Sequence, residues 1–162
     1  MARYPAAVYL RGNAPDLVDP TTGAAAWLVE PFGVVTALGA QTKVDLDVAR
    51  FLTGPVHALS VRTARRSTGL VAVHDWSALT GYEPEARNLL VDWCLAHRDA
   101  FERSGVVRPR VGPLLDMAIT VASTTLRVAR MPFEIFDSLG DAMRRFGIRA
   151  RSTPSVPPLS RG

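Results

Sequence analysis

The 162-residue chain has one cysteine, Cys94, and one lysine, Lys43. A single thiol excludes an internal disulfide and any zinc site built from several thiolates. Cys94 lies between Trp93 and Leu95 in a helical pattern, where a buried, unreactive thiol is expected. Aromatic residues are scarce, at 7%. No apolar run approaches the roughly 20 residues that a membrane span needs. The best candidate, residues 111–128, is interrupted by Asp116 and Arg127. The first residues are broken by charge and proline before a signal-peptide core can form, so a cytoplasmic protein is expected. Also missing are a Gly-x-Gly-x-x-Gly run, a phosphate loop and a Gly-x-Ser-x-Gly elbow, the usual signatures of dinucleotide, nucleotide and serine-hydrolase chemistry.

What is present is ordinary globular composition. Hydrophobic residues make up 48% and charged residues 21%, enough apolar surface for one domain with a real core. The formal net charge is +4, but Arg149, Arg151 and Arg161 fall in residues 148–162 with no acid beside them, leaving +1 for the rest. The basic clusters at 62–66 and 144–151 carry no interleaved aromatics, so no nucleic-acid partner is expected. Three segments follow from the punctuation. Residues 1–20, with Pro5, Pro15 and Pro20, are expected to form a loosely ordered arm containing a short strand at 7–10. Residues 21–147 form the domain. Residues 148–162 are expected to be a disordered basic tail.

Within the domain the hydrophobic period switches repeatedly. Ala25–Val29 and Val34–Leu38 flank Glu30-Pro31-Phe32-Gly33, the pattern of a hairpin. Asp45 and Asp47 open a helix that Gly54-Pro55 must kink. Leu70-Val-Ala-Val-His-Asp is continuously apolar, as a strand buried on both faces would be. Pro84 starts a helix whose stripe Leu89, Leu90, Trp93, His97, Ala100 and Phe101 predicts a run over 84–103. Residues 106–111 suit a strand, and Pro109 inside it predicts an edge position. A helix over 114–129, a strand at 133–136 and a helix over 139–146 follow, the last capped by Ser138 and ended by Gly147. The order β-β-α-β-α-β-α-β-α predicts an α/β fold with a mixed, mainly parallel sheet and covering helices.

Candidate chemistry is sparse. The pair His74-Asp75 matches metal-phosphohydrolase chemistry in composition, but it ends a strand and only His57 and His97 remain, so no metal and no cofactor are expected. Asp75 closes a central strand, where open α/β sheets bind ligands and where a carboxylate also caps the following loop. The helix at 114–129 is apolar around much more than the third to half of its circumference that one sheet face needs. That surplus faces either the last helix, a protein partner, a second copy or an apolar ligand.

This order of elements, with Asp75-x-Ser77, the acidic loop, the helix from Pro84 and the closing Phe133-Glu-Ile-Phe-Asp-Ser-Leu-Gly-Asp-Ala-Met, resembles STAS domains, the anti-sigma-factor-antagonist fold. More narrowly it is similar to the bacterial subgroup related to CRAL-TRIO lipid-transfer folds. The resemblance implies a non-catalytic regulatory module that docks a protein. The implied surface is Asp75, Trp76, Ser77, Thr80, Tyr82, Glu83 and Glu85, with Trp76 and Tyr82 as the anchoring residue types. STAS antagonists carry a phosphorylatable hydroxyl where this chain has Glu83-Pro84-Glu85-Ala86. Ser77 and Thr80 are the nearby hydroxyls, and Glu85 is either a fixed charge in that place or an ordinary first-turn acid. The alternative is a small binding protein for a lipid or other apolar molecule, using Met117, Ile119 and Val121.

Overall fold

The computed structural model describes residues 10, 12–39, 43–63, 69–110 and 112–152. The hairpin forms as expected: β2 (Ala25–Glu30) pairs antiparallel with β3 (Gly33–Ala37). β5 (Leu70–Asp75) lies parallel to β3 on one side and to β7 (Phe101–Val107) on the other. β8 (Phe133–Phe136) follows β7, again in parallel. The continuous apolar run of β5 therefore occupies the middle of the sheet, where both faces are covered.

Strand alternation sorts the core into two layers. Val71 and Val73 share one layer with Trp27, Val35, Val107 and the helix α5 (Leu139–Phe146). Leu70, Ala72 and His74 alternate to the other face. There Ala72 and Val106 pack under α1 (Leu46–Phe51), α3 (Pro84–Ala96) and α4 (Pro113–Val128). α5 thus lies on the sheet face opposite α4 and does not cover the apolar surplus of that helix.

Local chemistry places the helix ends. Asp45 caps α1, its carboxylate accepting the Val48 N–H at 3.0 Å. Pro55 does not break the helical run. It sits in a π-helical turn over Leu52–Val56, which leads into α2 (His57–Thr63). The wider turn absorbs the missing N–H and the ring that would crowd a regular helix. Ser138 accepts the Asp141 N–H at 3.1 Å, and Gly147 ends α5 with φ +65°, a conformation that glycine adopts without penalty.

Four expectations are corrected. First, the helix from Pro84 stops at Ala96, and after a 3₁₀ turn at Arg98–Ala100 the chain becomes β7 at Phe101. The helical spacing that continued through Ala100 and Phe101 was outweighed by pairing with β5. Second, β7 is internal, because it ends at Val107 and Pro109 lies beyond it; β8 is the edge. Gly105 permits this, since a Cβ there would come within 2.7 Å of the Phe136 ring.

Third, the boundary at 147 is too early. β9 (Arg149–Ala150) pairs antiparallel with β2, and Ile148 and Ala150 are core residues. Fourth, the boundary at 21 is too late. β1 (Leu17–Val18) pairs with the start of β2, and Leu10 is buried in the α5 layer. Residues 7–9 of the expected first strand, Arg65 and Arg66, and residues 153–162 of the tail lie outside the described residues. The remaining small sheet, β4 (Lys43–Val44) with β6 (Gly81–Tyr82), ties the loop after β5 to the start of α1. Among the described residues no helix is long and apolar enough to cross a membrane.

Candidate functional site

The α1/α3/α4 layer does not fill the space above β5 and β7. A cavity of about 110 Å³ remains there. Its cause is on α4. The side of the helix turned to the sheet carries Ala118 and Ala122, one turn apart, beside Ile119 and Leu126. Two methyl groups stand where larger side chains would reach the strands. Across from them are His74 of β5, Ser104 and Val106 of β7 and Phe133 of β8. Leu90, Trp93 and Cys94 of α3 form a side wall.

Three polar atoms in this lining are engaged within the protein. His74 Nδ1 lies 2.7 Å from the Thr36 hydroxyl of the neighbouring strand. Burial holds the imidazole pKa down at about 4, so the ring is neutral at pH 7 and brings no charge to the wall. The Ser104 hydroxyl donates to the Pro132 carbonyl at 2.8 Å, and the Thr53 hydroxyl donates to Ala49 at 2.9 Å. Burial raises the Cys94 thiol to about 11, which keeps it protonated and unreactive, in line with its sequence context.

The loop after β5 roofs the cavity, and this places the predicted surface residues. Trp76 leaves on the same side as His74, its ring centroid 6.1 Å away, and lines the cavity. Tyr82, fixed in β6, lines it too and is half-buried. The two aromatics expected as anchors are thus turned toward the molecule's own interior. Asp75 points to the opposite face of β5, is buried, and accepts the Ser77 N–H at 3.1 Å. Since His74 and Asp75 alternate across the sheet, they do not converge on one reacting centre. Glu83 pairs with Lys43 at 3.3 Å. Ser77 is half-buried, whereas Thr80 and the first-turn acid Glu85 are exposed.

The three α4 residues also separate. Ile119 is buried and faces the cavity, but Met117 and Val121 are 59% and 60% exposed on the outer side. They continue a stripe with Leu114 at 74% and Val128 at 80%. Sequence reasoning missed Thr36, Arg87 and Ser104. The signal available for the cavity itself was the Ala118-x-x-x-Ala122 spacing.

A second cluster lies beside the α3 wall. His97 stacks on Trp93 with centroids 4.4 Å apart, and its Nδ1 is 2.8 Å from the Trp93 carbonyl. His57 packs on Trp93 edge-on at 4.9 Å. Its Nδ1 is buried with no hydrogen-bond partner among the described residues. Burial, and then the charge of His97, lower the His57 pKa. Among the described residues no group of three or more potential ligands is placed to hold a metal ion.

No protein-family model and no curated protein matches the chain. Among solved structures it is similar to an uncharacterised protein of the DUF3478 family from Shewanella loihica PV-4, described as having a SpoIIAA-like fold. The TM-score is 0.54 at 19% identity, covering 80% of this chain and 98% of that one. The likeness shows the fold: a SpoIIAA-like module, the anti-sigma-factor-antagonist or STAS architecture.

Proposed function

We propose that this SpoIIAA-like module is a non-catalytic binding protein whose cavity takes a small apolar ligand. The observation that carries the reading is the void beside α4, lined by Ala118, Ile119, Ala122 and Leu126 and closed on the sheet side by a neutral His74. An apolar void of this order binds apolar molecules because the lining gains contacts that it otherwise lacks. The test is a titration with toluene followed by the methyl NMR signals of Ile119 and Leu126. Saturable shifts are expected in the parent protein and are expected to vanish in a folded Ala122→Leu variant, whose side chain fills the void. Shifts that never saturate, or that persist unchanged in Ala122→Leu, defeat the reading.

A second reading, docking of a protein partner in the manner of a regulatory module, is favoured by the outer stripe of α4. Leu114, Met117, Val121 and Val128 recur at helical spacing with nothing over them among the described residues. The exposed loop positions Thr80 and Glu85 belong to this reading. Trp76 and Tyr82 contribute to it only by shaping the roof.

A further inference from the structure

Arg87 stands apart from the rest of the cavity lining. It lies in the first turns of α3 on the exposed side, and its guanidinium carbon is 5.9 Å from the centroid of the Tyr82 ring that roofs the cavity. Among the described residues it makes no ion pair. Its side-chain hydrogen bond runs from Nη2 to the Asn88 amide oxygen at 3.4 Å, between exposed groups. The nearby carboxylate of Glu83 is held instead by Lys43. The hydroxyls of Ser104 and Thr53 are spent on backbone carbonyls, and His74 Nδ1 is spent on Thr36. Among the described residues, one cation without an ion pair therefore marks the rim of a mostly apolar chamber.

Resting on the ligand reading above, we propose that the ligand is an amphiphilic carboxylate, with its apolar body in the chamber and its carboxylate on Arg87. Three observations fit together. The chamber holds about 110 Å³, somewhat less than the roughly 150 Å³ of an engineered cavity that binds benzene, so the enclosed part of the ligand is at most about six carbons. The head group then lies in the mouth, beside the exposed Arg87. A guanidinium presents a planar fork of donors that matches the two oxygens of a carboxylate, and the Tyr82 ring, 5.9 Å from the guanidinium carbon, lies within cation–π reach of it. A neutral hydroxyl head accepts from that fork without its charge and cannot pair with both arms as a carboxylate does, and a cationic head meets like charge.

Octanoate, 1-octanol and octylammonium test this by calorimetric titration of the parent protein, Arg87→Gln and Arg87→Lys. Octanoate is expected to bind tightest and octylammonium weakest. The ratio of octanoate to octanol affinity is expected to fall about ten-fold in Arg87→Gln, and Arg87→Lys to restore part of it. Added salt is expected to weaken octanoate in the parent protein but not in Arg87→Gln. If octanol binds and the ratio is the same in Arg87→Gln, the carboxylate assignment is overturned while the cavity reading stands. If none of the three ligands binds the parent protein, and toluene also fails to shift the Ile119 and Leu126 signals, both fall together.

Discussion

At the residue scale, His74 shows how position decides chemistry. A histidine followed by an aspartate suggests a reactive pair, but on a strand the two side chains leave by opposite faces. His74 became cavity wall and Asp75 a loop cap, a division that only the strand assignment makes visible. The same burial gives a pH dependence. The folded ring protonates near pH 4, the unfolded ring near 6.5. Between those values the unfolded state takes up a proton that the folded state refuses, so stability falls as the pH is lowered through this window. The full gap is worth about 3 kcal/mol. A urea-denaturation series on the parent protein and His74→Asn, which keeps a partner for Thr36, is expected to show their stability difference change by about that amount from neutral pH to about pH 4. A difference independent of pH would show that the ring protonates equally in both states. A simpler expectation concerns Ser138. Its loss in Ser138→Ala is expected to lower stability by about 1 kcal/mol through the freed Asp141 N–H, read as a shift in the urea midpoint.

At the element scale, most of the order was legible. The runs 25–29, 34–38, 70–75, 106–111 and 133–136 and the helices between them gave the β-β-α-β-α-β-α-β-α succession without its two-residue strands. Pairs such as Lys43–Val44 with Gly81–Tyr82 carry no periodic signal, because two residues cannot show a period. The ends of α3 and β7 failed for another reason. Phe101 falls on the helical stripe and also on the cavity face of a strand, so local spacing could not choose. Hydrogen exchange distinguishes the corrected sheet order: the amides of Val106 and Val107 are expected to be protected nearly as strongly as those of Val71 to Val73, and those of Phe133 to Phe136 much less. Protection of Phe133 to Phe136 above that of Val106 would reverse the edge. The cavity was the least legible feature. A void is missing side-chain volume, and Ala118 and Ala122 looked in the sequence like part of a generally apolar helix.

At the scale of the whole molecule, the two sheet faces divide the work. The α5 layer packs Trp27, Val35 and Val73, and the α4 layer, which buries Val48, Leu79 and Val106 as deeply, keeps the chamber. The C-terminal segment belongs to the first. Ending the chain after Gly147 removes Ile148, Ala150 and the β9 pairing, and is expected to cost about 3 kcal/mol in a thermal or urea unfolding measurement. An unchanged midpoint would show that β9 contributes nothing. β1 and β9 lie end to end along the same edge of β2, and Asn13 donates to the Arg151 carbonyl at 2.8 Å while Asp16 pairs with the Arg151 guanidinium. The entry and exit of the fold are therefore neighbours, on the sheet edge farthest from β8. A pull applied through both ends would peel these two short strands from β2 one after the other, like a strip from a backing. The load would be spent on that edge before it reached the strands beneath the chamber.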